Sequence, residues 1–310
     1  MSEHWRERPE GGGRFGLWLI FTIARLCGRT LSRLLLYPIT LYFYLRRSHE
    51  RHAARVFLPR LTGHPASARQ VLKQMYRFAG TLLDRVFFLM HGERGFDIRV
   101  EGLAALEERL AQGRGVLLMG AHMGSFEVLR TLAARRPDVA LRIVLNKQQT
   151  PVMTHLLETL APEVAAGIID GARDPTSTVL ALSEALKQGH MAALLADRGR
   201  PDETMRRAPF CGLPAPFPVG PWLLASALKV PVVLCLGMYE GGNRYRLIFE
   251  PFAERIDIPR KARDAALDAV IARYATRLEH HARQSPENWF NFYDFWDEDG
   301  LAAEAGARGL

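Results

Sequence analysis

The stretch GVLLMGAHMGSFEVLR, residues 115–130, decides the fold class. Its apolar first half has the length and composition of a buried strand, and the small residues that follow favour a sharp turn into a helix. The same alternation continues along the chain, which predicts an α/β protein with a mixed central sheet flanked by helices. The other strands are predicted at 141–145, 166–169, 191–196, 231–238 and 245–250. Helices are predicted at 66–91, 125–135, 151–160, 175–187, 218–228 and 260–283.

The overall composition excludes several protein classes. With 48% hydrophobic and 24% charged residues, the chain is neither disordered nor a polytopic membrane protein. Three cysteines, Cys27, Cys211 and Cys235, lie too far apart for a disulfide framework or a CxxC metal cluster. No zinc finger, RNP motif or basic zipper is present. We therefore expect no nucleic-acid partner and no metal site.

The positive charge is concentrated at the N-terminus, where residues 1–60 contain 11 Arg and four Glu. The uncharged apolar runs 15–24 and 34–45 have 10 and 12 residues. Both are shorter than the ~18 to 20 residues that span a bilayer. A helix with this basic and apolar composition is typical of a segment that lies in or partly enters a membrane surface.

Three evenly spaced arginines give this segment one basic face if it is helical. Arg25, Arg29 and Arg33 recur every four residues, which places them on one helical face, and we expect that face at the lipid headgroups. Basic flanking residues predict that the body lies on the cytoplasmic side of the inner membrane. An amphipathic core helix of a soluble protein is the alternative. The predicted division is an anchor at 1–60, a catalytic domain at 61–299 and a frayed tail at 300–310.

His122 and Glu127 are the candidate catalytic pair. His122 follows the strand at its carboxyl end, which is the edge where open α/β sheets bind ligands. Glu127 comes five residues later, in the first turn of the next helix, so the two side chains are predicted to hydrogen-bond. Such a bond would fix the imidazole tautomer and make the other ring nitrogen a general base.

The order His, four residues, Glu resembles the HX4D/E motif of the lysophospholipid acyltransferase superfamily, and specifically the bacterial lipid A lauroyl and myristoyl transferases. Two further blocks support the resemblance, LLADRGRP at 194–201 and PAPFPVGPWLLASALKVPVVLCLGMYE at 214–240. It covers roughly residues 100–295. Many members have Asp where this chain has Glu127. The ending NWFNFYDFW, residues 288–296, looks more like acyltransferases of aryl polyene gene clusters.

The resemblance implies an enzyme that moves a fatty acyl group from acyl carrier protein or coenzyme A to a hydroxyl or amine of a membrane lipid or glycolipid. It implies no cofactor beyond that acyl donor. His122 would take the acceptor proton, and Arg198 is the candidate for stabilising the oxyanion, with a surface ion pair to Asp197 or Asp202 as its alternative. The remaining candidate substrate-binding residues are Asp197, Asn146, Lys147 and Ser125.

Two other functions compete with acyl transfer. One is a non-catalytic lipid-binding protein that keeps the fold. The other is an esterase or thioesterase with Ser125 as nucleophile, although GSFEV lacks the second Gly of a GxSxG elbow. The aromatic ending either packs on the catalytic domain or lines an acyl-chain channel. The donor, the acceptor, the chain length and the oligomeric state stay open at the level of sequence.

Overall fold

The computed structural model describes residues 13–129, 139–147, 151–171, 175–199 and 203–296. Three N-terminal helices, α1 (Gly13–Arg46), α2 (Ser48–Thr62) and α3 (Ala68–His91), precede the sheet, and α4 (Leu103–Ala111) follows its first strand. The later helices and 3-10 turns are Pro151–Leu160, Pro162–Ala165, Pro175–Lys187, Gly220–Leu228, Arg260–Ala262, Arg263–Gln284 and Pro286–Asn288. The part of the predicted helix 125–135 beyond residue 129 and the predicted tail 300–310 lie outside the described residues.

A seven-stranded sheet forms the centre. Its strands are β1 (Asp97–Glu101), β2 (Val116–Gly120), β3 (Leu141–Leu145), β4 (Ile168–Asp170), β5 (Met191–Leu195), β8 (Val232–Gly241) and β9 (Arg244–Ala253). Their order across the sheet is β1-β9-β8-β2-β5-β3-β4. All neighbouring strands are parallel except β8 and β9, which form an antiparallel hairpin. This confirms the predicted α/β class and its mixed sheet.

The central strand β2 is buried on both faces, as expected for a parallel strand covered by helices. Leu117 and Met119 contribute to the core on one side of the sheet, and Val116 and Leu118 to the core on the other side. Neither face of β2 is exposed to water, and this explains why its sequence is apolar throughout. The carboxyl end of this buried strand carries the candidate site.

Two strands outside the main sheet, β6 (Met205–Phe210) and β7 (Leu213–Pro218), pair as a separate antiparallel hairpin. The sequence did not predict them, because their prolines indicate loops rather than strands. A two-strand sheet has only edges, where a missing N–H is tolerated. Cys211 and Gly212 have positive φ values of 52° and 84°, which is the backbone of a type I′ turn.

The N-terminal helix α1 packs against the protein through its basic face. Arg29 donates two hydrogen bonds to Asp84 of α3, at 2.8 and 2.9 Å, and Arg33 donates a third at 3.1 Å. Asp84 is fully buried and also accepts from Tyr245 at 2.8 Å. A buried carboxylate needs such partners, and here α1 supplies them. The prediction that this arginine face meets lipid headgroups is wrong for Arg29 and Arg33; the side chain of Arg25 lies outside the described residues.

The opposite face of α1 is apolar and exposed. Leu26, Leu34 and Leu45 retain 78%, 57% and 64% of their accessible surface. The helix is interrupted at Gly28, which has a positive φ of 66°. Among the described helices, none combines the length and the apolar content that crossing a bilayer requires. The other large apolar residues exposed on this helix are Leu31, Leu35, Tyr37, Leu41, Tyr42 and Phe43.

Candidate active site

A tight turn after β2 presents His122 at the edge of the sheet. Gly124 has a φ of +66°, and a Cβ at this position would lie 2.0 Å from the carbonyl oxygen of Gly237 on β8. The next residue, Ser125, donates its backbone N–H to that same carbonyl at 2.7 Å. Only glycine combines this positive φ with so close an approach. The small residues of the sequence motif therefore let the turn pack directly on the neighbouring strand.

The side-chain partner of His122 is Asp197. Its Oδ1 lies 2.9 Å from Nδ1 of the imidazole. The pairing follows from the sheet, because β2 and β5 are adjacent and parallel, with Gly120 in register with Leu195. His122 and Asp197 each lie two residues beyond these positions. Parallel strands in register bring such residues together at the carboxyl edge.

Asp197 is fully buried and has three hydrogen-bond partners. Besides the imidazole, it accepts the backbone N–H of His122 at 3.0 Å and Nε1–H of Trp289 at 3.1 Å, both on Oδ2. Burial alone would raise the pKa of this carboxyl, but the nearby His122 ring and its hydrogen bonds lower it well below the usual range. Asp197 is therefore ionised at neutral pH and holds the His122 ring in a fixed orientation.

The imidazole of His122 is poised as a neutral base. Burial desolvates the ring and lowers its pKa below 6.5, and the positive charge of Arg198 lowers the pKa further. The carboxylate of Asp197 has the opposite effect but does not outweigh them. The side chain nevertheless keeps 38% of its surface accessible. Since Nδ1 faces Asp197, the nitrogen that remains for a substrate proton is Nε2.

Glu127 lies in a different place from the one that the sequence predicted. Its buried carboxylate has Oε1 3.3 Å from Nε of Arg85 on α3, whereas the predicted bond was to His122. The hydrogen-bond partner of Nδ1 of His122 is Asp197 instead, whose carboxylate accepts the bond. The spacing of the motif could not reveal this, because the competing carboxylate is 75 residues further along the chain. A catalytic role for Glu127 stays a prediction.

Arg198 connects the site to the C-terminal segment. It donates a hydrogen bond to the carbonyl oxygen of Phe290, and its guanidinium lies 5.5 Å from the ring centre of Tyr293. Its Nε is 3.9 Å from Oδ2 of Asp197, at the outer limit of an ion pair. The alternative partner Asp202 lies outside the described residues. Arg198 is thus beside His122, as expected, but it is engaged by protein atoms.

The other candidate residues are Ser125, in the same turn as His122, and Asn146 and Lys147, which follow another strand of the sheet. Ser125 is 2% exposed, and its hydroxyl has no hydrogen-bond partner among the described residues. Asn146 and Lys147 follow β3, which is separated from β2 by β5. The backbone N–H of Lys147 donates to Asp170 at 3.3 Å. Binding of substrate by these residues stays a prediction.

The aromatic ending forms one wall of the site, and sequence reasoning missed its polar contacts. The rings of Trp289, Phe295 and Trp296 are buried, which confirms the packing interpretation for them. In addition, Trp289 donates to Asp197, and the backbone N–H of Phe290 donates to the carbonyl of His122 at 3.0 Å. No local spacing could have indicated these contacts. Trp289 and Asp197 are more than 90 positions apart in the sequence, and Phe290 and His122 are more than 160 apart.

A second contact that the sequence did not indicate holds the strand that leads to His122. The phenol of Tyr274, on the helix Arg263–Gln284, donates to the carbonyl oxygen of Gly120 at 2.9 Å. Tyr274 is fully buried, and burial raises the pKa of its phenol well above 10. The hydroxyl therefore remains a proton donor and holds the carboxyl end of β2 through the carbonyl of Gly120.

These contacts define a general-base site of a kind used in group transfer: a buried carboxylate, an oriented imidazole and an accessible ring nitrogen at the edge of an α/β sheet. A family model for bacterial lipid A biosynthesis acyltransferases matches residues 12–297. The chain belongs to this family, and it is an acyltransferase that acts on lipids. The resemblance to the lipid A branch is thereby confirmed, and the likeness of the ending to acyltransferases of aryl polyene clusters stays a prediction. A comparison with curated proteins finds no match.

Proposed function

We propose that this enzyme transfers a fatty acyl group from an acyl carrier protein or coenzyme A thioester to a hydroxyl or amine of a membrane lipid or glycolipid. The observation that carries the proposal is the imidazole of His122, held on Nδ1 by the buried carboxylate of Asp197 and accessible to solvent. Nε2 of His122 removes the proton from the acceptor as its oxygen or nitrogen attacks the thioester carbonyl.

The reaction needs no covalent enzyme intermediate. The tetrahedral adduct collapses by breaking the carbon–sulfur bond, and the thiolate that leaves receives the proton from Nε2 of His122. The ester or amide and the free thiol are the products, and His122 returns to its neutral form. The buried hydroxyl of Ser125 supports this direct route over an acyl-serine intermediate, because it is 2% exposed.

The proposed activity is tested by comparing lipids. We expect that deletion of the gene removes one acyl chain from a cellular lipid, which mass spectrometry of total extracts detects as a loss of that chain's mass. Adding the purified enzyme and a fatty acyl thioester to the extract from the deletion strain should restore the complete lipid. Unchanged lipids in the deletion strain, or release of free fatty acid without acylation of any lipid, would contradict acyl transfer.

We also propose that the protein lies at the surface of the inner membrane, with the catalytic domain on the cytoplasmic side. Since Arg29 and Arg33 are turned toward Asp84, the face of α1 that points outward is apolar. Exposed basic residues follow at the end of α1 and on α2, at Arg46, Arg47 and Arg55. Apolar insertion beside positive charge is the combination that binds a surface of anionic lipid.

We expect that Leu34→Glu combined with Leu41→Glu weakens binding to vesicles of phosphatidylethanolamine and phosphatidylglycerol. Burial of one leucine contributes about 1.5–3 kcal/mol, so each substitution should lower the partition coefficient by roughly tenfold or more. Co-flotation with the vesicles measures the effect. Leu180→Glu is the matched control, because Leu180 is 65% exposed on the helix Pro175–Lys187, which lies between β4 and β5. Equal losses in the control and the double variant would refute the α1 surface.

A further inference from the structure

The segment 288–290 lies directly against the turn that carries His122. Its last backbone N–H, from Phe290, donates to the carbonyl oxygen of His122 at 3.0 Å, and its first carbonyl accepts the N–H of Gly124 at 2.8 Å. The residue between them, Trp289, forms an antiparallel bridge to the same turn. Two hydrogen bonds and one bridge therefore align the segment with the turn, residue by residue.

Trp289 brings this segment into contact with the carboxylate that orients His122. Its indole Nε1–H donates to Oδ2 of Asp197 at 3.1 Å, and the backbone N–H of His122 donates to the same oxygen at 3.0 Å. The terminal torsion of an aspartate is broad, so a carboxylate needs such partners to keep one orientation. With two donors on Oδ2, Oδ1 faces Nδ1 of the imidazole at 2.9 Å. The indole thus helps to fix the carboxylate that fixes the ring.

The side chain of Asn288 joins the segment to the main sheet. The backbone N–H of Tyr239, in β8, donates to Oδ1 of Asn288 at 2.8 Å, and Nδ2 of Asn288 donates to the carbonyl oxygen of Tyr239 at 3.0 Å. The pairing of β2 with β8 ends at Leu234, five residues earlier. The fully buried amide of Asn288 therefore takes the place of a neighbouring strand at the carboxyl end of β8.

An asparagine suits this position because its amide matches both backbone groups of one residue. The side chain has one carbonyl acceptor and one NH₂ donor, whereas an ionised aspartate has no donor and a leucine has neither group. The carbonyl of Tyr239 has a second donor in Arg77, at 3.0 Å, but the N–H of Tyr239 donates to Asn288. Loss of the amide leaves that buried N–H without this partner, which is unfavourable unless the segment 288–290 shifts.

We propose that Asn288 is a positioning residue of the acyl-transfer site, which acts by holding Trp289 against Asp197. Through that contact it keeps the imidazole of His122 in the tautomer whose Nε2 accepts the substrate proton, because the bond made by one ring nitrogen determines where the ring carries its proton. This inference rests on the proposed function and adds to it a residue that acts through others. Asn288 itself does not touch the substrate under this assignment.

The tautomer of the His122 ring tests the assignment without a substrate. Nitrogen-15 NMR at pH 8 distinguishes a ring protonated on Nδ1 from one protonated on Nε2, and the signals that His122→Ala lacks identify this ring. We expect the wild-type ring to carry its proton on Nδ1 and the ring of Asn288→Ala to be a mixture of both tautomers. A ring that stays protonated on Nδ1 in Asn288→Ala would overturn the inference.

Steady-state kinetics gives a second readout. The probe is the dodecanoyl thioester, of coenzyme A or of acyl carrier protein, that the wild type uses with the lipid extract of the deletion strain. For Asn288→Ala we expect kcat to fall by roughly 10–10²-fold with KM for the thioester unchanged, since a misplaced catalytic group lowers the rate rather than the binding. Because the contact with Asp197 raises the pKa of His122, the acid limb of the pH profile should also move to lower pH.

The double variant with Trp289→Phe shows whether the effect passes through the indole. If it does, Asn288→Ala causes little further loss of kcat once residue 289 is phenylalanine, because the contact with Asp197 is already gone. Losses that multiply in the double variant would show that Asn288 acts independently of the indole and would contradict the proposed route.

Two further variants separate this role from folding. Asn243→Ala is the matched control, because the side chain of Asn243 also donates to a backbone carbonyl, that of Gly95 at 3.0 Å. It should leave the tautomer and kcat unchanged. If Asn288→Ala does not fold, as judged by circular dichroism, Gln74→Leu replaces it. This variant removes the bond from the buried Gln74 to the carbonyl of Trp289, at 2.9 Å, and should also produce a mixture of tautomers.

Failure of this inference is distinguishable from failure of the proposed function. A wild type that acylates no lipid contradicts the proposed acyl transfer. An active wild type whose tautomer and kcat are the same in Asn288→Ala contradicts the positioning role alone.

Discussion

Replacing His122 with alanine is expected to lower kcat by roughly 10²–10⁴-fold, the contribution of a positioned general base. The imidazole is the group that receives the acceptor proton, and no other base in the described structure is both held by a buried carboxylate and open to solvent beside the turn. Thiol release from a fatty acyl thioester in the presence of lipid acceptor measures the loss. His155→Ala is the matched control, because His155 is exposed on the helix Pro151–Leu160.

The same base determines the expected pH dependence. A base must be neutral to act, and the pKa of His122 is lowered from 6.5. We therefore expect kcat/KM to rise with pH through a pKa below 6.5 and to be level at neutral pH. The pKa is lowered because burial removes water from the ring and because the charge of Arg198 is nearby, and both disfavour the protonated imidazole. A fully active His122→Ala enzyme, or activity that falls as the pH rises toward 7, would exclude His122 as the base.

The sequence was a good guide to the strands that surround this site. The segments 115–121, 141–145 and 191–196 were predicted within one or two residues, because each is a short, mostly apolar run bounded by turn residues. The short edge strand β1 was missed, since its charged residues alternate with Ile98 and Val100 and its burial is partial. Local pattern thus identifies mostly apolar strands more readily than a strand in which charged residues alternate with two apolar ones.

The partners of the catalytic side chains could not be predicted in the same way. Asp197 was identified as part of a family-like block, but its bond to His122 depends on β5 being the neighbour of β2, and strand order is a property of the whole sheet. Periodicity correctly grouped Arg29 and Arg33 on one face of α1. It could not say which face was inward, because that was decided by the buried carboxylate of Asp84 on another helix.

Asp197→Asn is expected to lower kcat on the order of 10⁴-fold, the loss seen when the carboxylate that orients a catalytic histidine becomes an amide. An amide N–H against Nδ1 of His122 would favour the tautomer that carries its proton on Nε2, and this nitrogen could then no longer accept one. Because Asp197 raises the pKa of His122, its loss should also move the acid limb of the pH profile to lower pH. Rates measured from pH 4 to 8 would show both effects.

Glu127→Gln is the matched control for Asp197→Asn. Both substitutions turn a buried carboxylate of the site into an isosteric amide, but Asp197 contacts the imidazole and Glu127 contacts Arg85. Only Asp197→Asn should therefore displace the acid limb. Trp289→Phe removes one donor to Asp197 and keeps a smaller aromatic side chain, so its loss of activity should be smaller than that of Asp197→Asn. If Glu127→Gln moves the acid limb of the pH profile and Asp197→Asn leaves it in place, then Glu127 is the partner of the catalytic base. Asp197 then has only a structural role at this edge of the sheet.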